Sequence, residues 1–537
     1  MLHFFGMKEH VKSLSHGPST VASFPKPEDY LRRLEEEHPE QTPAYETVLS
    51  VREACASAGG RALLVGGSVR DAVLGHVSKD FDMEVYGLEP EKVEEIVAQF
   101  GEVNSVGRAF GILKISKNGV DVDVSLPRVD SKIGEGHRGF VVKTDPHMSI
   151  EDASRRRDFT MNALAADPAT GQLFDPFGGV HDLERRILRV TDQERFQDDP
   201  LRVMRALQFI GRFGLSLDTD SSRLIQDMAP RLRELPRERL GDEWKKLLLK
   251  SQKPSVGLSA GMGLGIFEHM HPELPPLMHT PQEPDWHPEG DVWIHTLMVV
   301  DEAARLVRLE QLEGDEALTV MLGALAHDFG KPHVTEFIEG RLRSRGHEAA
   351  GKEPAEAFLS SIGIEGIVQQ KVAKIVVSHL DPSMLFIQNV LKERKNDVAD
   401  GAVRRLAARI FPATIRELAL VAKTDHYGRG TFVDAENPQQ LLLSDGFPAG
   451  EWIIARARHL EVEKSKPAPL LRGTDLLTCG LRPGKVFGEI IRLGDRLRDE
   501  RKYTREDILL LFDGTTGPDE VKKRLMDALV DLRNEPI

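Results

Sequence analysis

Residues 63–85 constrain the fold of this chain more than any other stretch. They begin with a short apolar run at 63–65, which is typical of a buried strand. A glycine turn follows, and residues 68–74 then have a helical pattern. From 80 to 83 polar and apolar residues alternate, which predicts a second strand. The stretch therefore predicts a unit of strand, turn, helix and strand.

The same stretch carries groups that suit phosphate chemistry. Gly66 and Gly67 lie at a strand-to-helix turn, where backbone N–H groups can bind phosphate, and Arg70 lies one helical turn later. Asp80 and Asp82 point to the same face of a strand and can hold one hard cation through oxygen ligands. A glycine pair alone is more often an ordinary tight turn, and a D-x-D pair alone is usually a surface feature. Together they indicate metal-assisted phosphoryl or nucleotidyl transfer.

Length and composition exclude several classes of protein. The 537 residues are too many for one core, and three or four domains are expected. No apolar run approaches the ~18 residues that a membrane helix needs. The first residues lack a long apolar signal region, and two cysteines give no disulfide framework. We therefore expect a cytoplasmic protein with no membrane partner, whose net charge of −14 argues against indiscriminate nucleic-acid binding.

The secondary-structure pattern changes along the chain. Short β-rich runs alternate with helical stretches as far as about residue 190, and helical spacing alone continues at 201–213, 221–232 and 238–249. Proline and glycine cluster at 271–290, which indicates a boundary. The predicted segments are an N-terminal extension (1–55), an α/β head with a small mixed sheet (56–190), an all-α neck (191–270), a second helical domain (285–430) and a C-terminal helical region (431–537).

Two later groups in the first half could contact a nucleotide. Arg156 and Arg157 precede a predicted helix start, with Asp158 at a cap-like position, and suit a triphosphate clamp. Asp199 and Arg202 are three residues apart and are expected to share a helix face. A carboxylate acceptor beside a guanidinium donor can pair with the edge of a base. In isolation, however, such a pair is more often an intrahelical salt bridge.

A second constellation of polar residues lies in the predicted helical domain. A lone histidine on a helix is usually a core or surface residue, but here an adjacent His-Asp is followed by Gly-Lys, and further donors lie on surrounding helices. Imidazole nitrogen and carboxylate oxygen together suit a divalent transition metal, which could activate water against a phosphoester. The candidate ligands are His295, His327, Asp328 and Asp425, with His347 and His379 as further donors.

Five segments of the first half carry a resemblance to a known family. The segments are, in order, LLVGGSVRD, KDFDMEV, RRDFTMNALA, DPFGGVHDL and RFQDDPLRVMRALQF, within about residues 60–250. Their order and spacing resemble the class II tRNA nucleotidyltransferases, which include the CCA-adding enzymes and the bacterial poly(A) polymerases. The resemblance implies a nucleotidyltransferase head and a helical neck, with tRNA, CTP and ATP as substrates, Mg²⁺ as cofactor and no DNA partner.

The resemblance also assigns roles to single residues. It implies that Asp80 and Asp82 are catalytic and bind magnesium, and that Asp199 and Arg202 read CTP or ATP by hydrogen bonds. Where the family often has Glu-Asp, this chain has Asp198 before Asp199, which leaves the reading pair intact. The implied nucleotide-binding residues are Gly66, Gly67, Arg70, Arg157, Asp199, Arg202 and Arg205.

The histidine-rich half resembles the HD superfamily of metal-dependent phosphohydrolases. The matching residues are His295, His327, Asp328 and Asp425, with His347 and His379 fitting a second metal. Bacterial CCA-adding enzymes with an HD domain carry both halves in this order, including a Trp-His-Pro run like the one at 286–288. This implies 2′,3′-cyclic phosphodiesterase, 2′-nucleotidase or phosphatase activity; the alternative is a degenerate HD fold that serves as an RNA-binding body.

Addition of CCA to tRNA 3′ ends is the leading expectation, with three alternatives. A poly(A) polymerase typically has a basic, aromatic signature after the D-x-D strand, and residues 107–114 depart from it. Enzymes that add only CC tend to have a shortened loop, whereas the segment between 123 and 151 is of ample length; an enzyme that adds only A is the other partial activity. A hydrolase whose head merely binds RNA would not need the intact pair Asp80 and Asp82.

Overall fold

The computed structural model of the chain describes residues 23–104, 112–117, 120–132, 140–391, 396–429, 446–512 and 517–530. The chain divides into two compact units. The first runs to Pro236 and includes Gly263–Ile266. The second contains Arg237–Met262 and all described residues from Phe267 onward. Three parts of expected segments lie outside the described residues. They are residues 1–22 of the extension (1–55), residues 107–111 of the stretch compared with the poly(A) polymerase signature (107–114), and residues 133–139 of the loop between 123 and 151.

A seven-stranded sheet with the order β3-β4-β5-β2-β1-β8-β9 forms the centre of the first unit. The strands β2 and β5 are parallel and the other neighbours are antiparallel, so the sheet is mixed, as predicted. Its strands are β1 (Arg61–Val65), β2 (Phe81–Tyr86), β3 (Glu102–Asn104), β4 (Ile112–Lys117), β5 (Val120–Ser125), β8 (Ala165–Ala166) and β9 (Leu173–Phe174).

Among the described residues of the first unit, nine α-helices accompany this sheet. They are α1 (Pro27–Glu37), α2 (Thr42–Ser57), α3 (Gly67–Val73), α4 (Pro90–Val97), α5 (Ile150–Arg155), α6 (Gly179–Glu184), α7 (Gln193–Phe196), α8 (Leu201–Phe213) and α9 (Thr219–Met228). Short 3-10 turns cover Pro39–Gln41, Thr160–Asn162 and Ala229–Glu234.

An aromatic cluster joins the N-terminal helices to the sheet. Tyr30 of α1 stacks on Tyr45 of α2, and Tyr45 lies against Phe81 at the start of β2. The hydroxyl of Tyr30 accepts a hydrogen bond of 2.9 Å from the backbone N–H of Ser78. Since these rings are buried together, the N-terminal helices pack on the strand that carries the D-x-D pair.

Two short strand pairs complete the first unit. Strands β6 (Arg128–Lys132) and β7 (Phe140–Thr144) form an antiparallel pair. Strands β10 (Ile187–Leu188) and β11 (Ser216–Leu217) are parallel. Strand β11 lies in a region where the sequence predicts only helices. A strand of two residues is too short to show the alternation from which strands are predicted.

In its described part, the second unit consists of helices and one β-hairpin, β12 (Glu336–Ile338) with β13 (Arg341–Arg343). Helix α14 packs against α13, α18 and α21. His295 and Asp425 lie on α13 and α21, His327 and His379 directly follow α14 and α18, and His347 begins α16. The helices are α10 (Arg237–Lys250), α11 (Pro254–Gly263), α12 (Ile266–Met270), α13 (Val292–Leu309), α14 (Gly314–Ala326), α15 (Lys331–Val334), α16 (His347–Ala350), α17 (Lys352–Ser361), α18 (Gly366–Ser378), α19 (Asp381–Phe386), α20 (Asn396–Ile410), α21 (Ile415–Tyr427), α22 (Pro448–His459), α23 (Gly473–Thr478), α24 (Val486–Arg501), α25 (Arg505–Leu509) and α26 (Pro518–Val530).

The last helices pack around a separate apolar cluster. Leu497 of α24 and Leu525 of α26 are fully buried in it, together with Leu471 and Ile508. Across the described residues, no helix is both long and apolar enough to cross a membrane.

Candidate functional sites

The glycine turn between β1 and α3 has a backbone conformation that is unfavourable for residues other than glycine. Gly66 has φ 73° and ψ −126°, outside the regions that L-residues populate. A Cβ built on Gly66 would lie 2.8 Å from Nη1 of Arg157. Glycine is therefore required at position 66 for two reasons. Its backbone conformation is unfavourable for other residues, and a side chain would collide with the guanidinium of Arg157.

Three carboxylates gather at one edge of the sheet. Asp82 on β2 is directly opposite Asp123 on the parallel strand β5. Asp80 immediately precedes β2, two residues from Asp82, and therefore shares its face. Asp80 and Asp82 are both exposed to solvent. Strand β5 carries two aspartates, Asp121 and Asp123, and the register places Asp123 opposite Asp82.

The electrostatics of this edge favour a bound cation. The surrounding protein raises the pKa of Asp82 chiefly by desolvation, and the carboxylates of Asp123 and Asp80 add to the effect while Arg157 opposes it. Oδ1 of Asp123 is buried and accepts no hydrogen bond from the described residues, and Nζ of Lys114 lies 3.8 Å from it. A hard divalent cation would relieve this crowding of negative charge, so the donor set fits Mg²⁺.

A buried carboxylate lies behind the exposed ones on the same strand. Glu84 is fully buried, and its two oxygens accept hydrogen bonds of 2.7 Å from Nη2 of Arg156 and from the hydroxyl of Tyr86. Nη2 of Arg157 lies 3.8 Å from Oε2 of Glu84. Burial alone would raise the pKa of Glu84, but Arg157 and Arg156 outweigh it and the pKa is lowered. Sequence reasoning missed Glu84, although it continues the alternation Asp80, Asp82.

Arg70 has partners inside the protein. Its guanidinium donates to Oδ1 of Asp71 at 2.9 and 2.7 Å and to Oδ1 of Asn162 at 2.6 Å. It also lies over the ring of Phe213, 4.8 Å from the centroid. Arg70 is buried, and its Nη2 would lie 3.6 Å from a Cβ on Gly67. The geometry gives Arg70 a bracing position behind the glycine turn, and its expected contact with nucleotide stays a prediction.

The expected capping role of Asp158 is wrong. Its Oδ1 accepts hydrogen bonds of 2.8 Å from the backbone N–H of Phe159 and from Nδ2 of Asn162. Its Oδ2 accepts from Nε of Arg205 at 2.6 Å. Because Asn162 also binds Arg70, an unbroken chain of hydrogen bonds joins α3 to α8. Asp158 accepts three hydrogen bonds in a buried position, which stabilises its carboxylate more than a cap at an exposed helix end would.

Asp199 and Arg202 do not share a helix face, because α8 begins at Leu201 and Asp199 precedes it. Oδ1 of Asp199 accepts a hydrogen bond of 3.1 Å from the N–H of Leu201. Arg202 donates to the carbonyl oxygens of Arg195 at 2.8 Å and of Arg156 at 2.6 Å. Burial lowers the pKa of Arg202, and the charge of Asp199 acts in the opposite direction. The two side chains lie at one helix start but are turned to main-chain partners.

The structure brings the six candidate metal ligands of the second unit together. Nε2 of His295 lies 3.3 Å from Nε2 of His327 and 3.1 Å from Oδ1 of Asp425. Nε2 of His347 lies 3.3 Å from Nε2 of His379, and 3.4 Å from Oδ1 of Asp328. The rings of His327 and His379 are neighbours, with centroids 5.3 Å apart, so the two groups of ligands are adjacent.

The second nitrogen of each ring fixes the tautomer. In His327, His347 and His379, Nδ1 lies 2.8 Å from the carbonyl oxygen three residues earlier. In His295, Nδ1 lies 2.8 Å from Oε1 of Glu289. These acceptors place the proton on Nδ1, so the Nε2 lone pairs face each other at 3.3 Å in both pairs. Facing lone pairs repel unless a cation binds them, and the donor set fits two divalent transition metals.

Burial and charge keep His379, Asp328 and Asp425 in their ligand forms. Burial lowers the pKa of His379 to about 3, and His327 and His347 add to the effect. Burial would raise the pKa values of Asp328 and Asp425, but their neighbours, chiefly His327 and Lys331 for Asp328 and Arg429 for Asp425, hold both well below the usual range. Both oxygens of Asp328 are buried with no directed hydrogen bond among the described residues, and Nζ of Lys331 lies 2.7 Å from Oδ2.

A cavity of about 250 Å³ opens onto this cluster. Lys331 and Arg429 lie on its wall, and Arg429 reaches Oδ2 of Asp425 at 3.4 Å. Sequence reasoning missed both cations and Glu289. Lys331 belongs to the Gly-Lys that follows the His-Asp pair, and this proximity in the sequence could have indicated that it lies at the site. Neutral imidazoles, carboxylates and cations around one cavity can hold metals and a phosphoester.

Comparison with known proteins agrees with this arrangement. Family models match at residues 62–189 ("Poly A polymerase head domain"), 214–278 ("Probable RNA and SrmB- binding site of polymerase A") and 292–410 ("HD domain"). A multifunctional CCA protein of Stenotrophomonas maltophilia is 36% identical over 385 residues, covering 70% of this chain and 88% of that protein. One of Xanthomonas campestris is 34% identical over 385 residues, covering 70% and 87%.

A solved structure shares the fold. The CCA-adding enzyme of Bacillus stearothermophilus, determined in complex with CTP, superimposes with a TM-score of 0.57 at 21% identity. The match covers 91% of this chain and 98% of that one. The fold is thus a nucleotidyltransferase head with a mixed sheet, followed by a helical neck and an HD domain.

Proposed function

The chain belongs to the family of the multifunctional CCA proteins, and we propose that it adds C, C and A to tRNA 3′ ends from CTP and ATP without a nucleic-acid template. The observation that carries this proposal is the carboxylate edge of Asp80, Asp82 and Asp123 beside the Gly66 turn and Arg157. Carboxylates for metal and a guanidinium for phosphate are the groups that nucleotidyl transfer needs.

Asp80, Asp82 and Asp123 are the residues that would hold Mg²⁺ in the head. Bound magnesium supplies activation of the attacking 3′-hydroxyl and neutralises charge on the leaving pyrophosphate. Arg157 lies against the glycine turn and binds the triphosphate, and Glu84 orients it from behind. Arg70 holds Asn162 and thereby the turn itself.

Asp199 and Arg202 select the base in this proposal, with Arg205 beside them. In the structure both residues have main-chain partners, and reading a base requires them to exchange these for its edge. Arg205 is anchored to Asp158, so it positions α8. For the segments, we propose the boundaries expected from the sequence: extension 1–55, head 56–190, neck 191–270, HD domain 285–430 and C-terminal region 431–537.

A direct assay distinguishes the proposed activity from its rivals. tRNA that lacks its 3′ CCA is incubated with CTP and ATP, singly and together, and the products are resolved by length. We expect two C residues with CTP alone and a complete CCA end with both. Repeated incorporation of A would favour a poly(A) polymerase, and addition that stops at CC, or that requires a CC end, would favour a partial enzyme. Asp82→Asn should abolish every addition.

We propose a second activity, metal-dependent hydrolysis of phosphoesters, for the HD domain. The carrying observation is the pair of 3.3 Å contacts between Nε2 atoms, which need a cation to be stable. His295, His327, Asp328 and Asp425 would hold one metal, and His347 and His379 with Asp328 a second; bound metals supply a nucleophilic water. Lys331 and Arg429 neutralise the phosphate, which suits 2′,3′-cyclic phosphodiesterase or phosphatase activity.

The variant Asp328→Ala tests the hydrolase half. Loss of this carboxylate removes a ligand common to both groups of donors, so hydrolysis of 2′,3′-cyclic AMP should fall to background. CCA addition by the same preparation should stay within about twofold of wild type, since Asp328 lies in the other unit. Hydrolysis that survives the substitution would show that the metal site is misassigned. A wild-type protein without hydrolysis but with tRNA affinity would support the RNA-binding alternative.

A further inference from the structure

We infer that Trp286 is a base-stacking platform at the mouth of the histidine cavity, which makes the HD site selective for phosphoesters that carry a nucleobase. The inference rests on the proposed hydrolase function for the reaction at the metals. It adds that the protein recognises the nucleobase, which the metals do not contact.

The exposure of Trp286 is the first observation. This side chain lines the cavity, yet 59% of its surface is exposed. By contrast, Trp244 and Trp293 are 1% and 5% exposed and serve the core. A large aromatic ring that stays open to solvent at the entrance to a polar cavity has its π-face available for a flat partner.

The segment that carries Trp286 is held rigidly. The backbone N–H groups of Trp286 and His287 both donate to the carbonyl oxygen of Glu283, at 3.1 and 2.9 Å. The carboxylate of Glu283 accepts a hydrogen bond of 2.9 Å from the N–H of Leu342 in β13. Asp285 lies 3.4 Å from Arg341 of the same hairpin. Loop and hairpin therefore form one wall, and a stacking ring on it costs little ordering on binding.

The same segment is coupled to the metal ligands. Nδ1 of His287, the residue after Trp286, lies 2.9 Å from Oε1 of Glu289. The same oxygen lies 2.8 Å from Nδ1 of His295. The platform is therefore positioned relative to the ligand cluster by a single buried carboxylate.

The cavity has two chemically different ends. Its floor carries the metal ligands and Lys331, which suit a phosphate. Its lining also includes Leu342 and Leu380, which together with Trp286 offer apolar surface. A ribonucleoside 2′,3′-cyclic phosphate carries a phosphate and a flat apolar base on one small framework. Stacking on an aromatic side chain changes binding of a base by roughly 10- to 100-fold.

The test compares substrates with and without a base. Wild-type protein, Trp286→Ala and Trp286→Phe are assayed on 2′,3′-cyclic AMP and on ribose 2,3-cyclic phosphate. We expect kcat/KM of the wild type to favour the nucleotide by roughly 10- to 100-fold. The preference should nearly vanish in Trp286→Ala and largely persist in Trp286→Phe. Leu309→Ala, which removes another exposed apolar side chain from the HD domain, is the matched control.

A binding measurement separates this inference from the hydrolase proposal. Adenosine 3′-phosphate should quench tryptophan fluorescence of the wild type, and the quenching should be lost in Trp286→Ala, whereas ribose phosphate should not quench. Equal preference and equal quenching in wild type and Trp286→Ala would overturn the inference while leaving hydrolysis intact. If no variant hydrolyses either substrate, the hydrolase proposal fails, and the quenching decides the role of Trp286 alone.

Discussion

Glu84 shows at the residue scale how the head places its arginines. It is fully buried two residues after Asp82, with Arg156 and Tyr86 on its oxygens and Arg157 near one of them. A buried carboxylate that neutralises two guanidinium groups fixes their directions, and one of them lies against the glycine turn. We infer that Glu84 positions Arg157 against the turn.

Glu84→Gln should damage both stability and nucleotide binding. Breaking a buried ion pair costs about 3–5 kcal/mol, because the remaining charges stay buried without compensation. We expect a lower melting temperature and a KM for CTP and ATP that rises more than kcat falls. Tyr86→Phe is the control, since it removes one hydrogen bond worth about 0.5–1.5 kcal/mol and no charge. A Glu84→Gln protein as stable as Tyr86→Phe would contradict this role.

Glu289 has a comparable role toward the second metal site. Its buried carboxylate, with a pKa lowered to about 2 against burial by the hydrogen bonds of His287 and His295, keeps a proton on Nδ1 of His295. The lone pair of Nε2 is thereby directed at the cluster. Loss of this hydrogen bond should therefore lower the affinity of the site for a metal ion.

Glu289→Gln should weaken metal binding by about 10- to 100-fold, because an amide can present its donor to His295 and favour the wrong tautomer. The measurement is competition between the apoprotein and a chromophoric chelator for Mn²⁺. Glu302→Gln, on the same helix as His295 but paired with Arg305, should bind the metal as the wild type does. Equal affinities of the two variants would remove Glu289 from the site.

At the scale of elements, the first unit is organised by contacts between the glycine turn, α3 and α8. Arg70, Asn162, Asp158 and Arg205 form a continuous series of hydrogen bonds from α3 to α8. Arg157 reaches the turn from the segment after α5. The turn is therefore held by elements that are distant from it in sequence.

Gly66→Ala should lower CCA addition at least tenfold. An unusual φ and ψ costs on the order of 1–3 kcal/mol, and the new methyl group would also displace Arg157. Kinetics of Gly66→Ala, Arg157→Ala and the double variant separate the two causes. If displacement of Arg157 matters, the two effects are not additive.

Gly178→Ala controls in this experiment for a side chain at a left-handed φ; its ψ is 28°, against −126° at Gly66. Gly178 has the same φ of 73°, and nothing lies within 4 Å of a Cβ built there. It should lose stability but little addition. An activity loss in Gly178→Ala as large as in Gly66→Ala, or full additivity in the double variant, would contradict the role of Arg157 at the turn.

At the scale of the whole molecule, the two units present different donors to metals. The first offers carboxylate oxygens, which suit Mg²⁺, and the second adds imidazole nitrogens, which suit transition metals. The two sites should therefore be loaded independently, although they belong to one chain.

Chelation should separate the two activities. After exhaustive treatment with EDTA and its removal, both activities are lost; Mg²⁺ alone should restore CCA addition, and Ni²⁺, Mn²⁺ or Co²⁺ should be needed to restore hydrolysis of 2′,3′-cyclic AMP. Both reactions are measured on one sample, with untreated protein as control. Recovery of both activities by Mg²⁺ alone would show that the second site does not depend on its imidazoles.

The local elements could be predicted from sequence because their signals are local. Apolar runs and alternation located strands β1, β2, β4 and β5, and helical spacing placed α8 over Leu201–Phe213. The mixed sheet and the helical character beyond residue 192 followed from the same patterns, apart from the two-residue strand β11 and the hairpin of β12 and β13. The D-x-D motif and the adjacent His-Asp pair could both be recognised in the sequence, because the residues of each motif are neighbours along the chain.

The assembly of the sites was decided by the tertiary structure. Parallel pairing of β2 with β5 selects Asp123 and leaves Asp121 to Lys114, and no spacing in the sequence distinguishes the two. Asp158 was expected at a helix start, but it is buried and accepts hydrogen bonds from Asn162 and Arg205. The internal partners of Arg70, Asp71 and Asn162, could not be predicted from the sequence either. Sequence periodicity fixes which face a residue occupies within its own element. The 3.3 Å approaches of Nε2 of His295 to His327 and of His347 to His379 depend instead on packing between elements that are distant in sequence. Only the tertiary structure determines that packing.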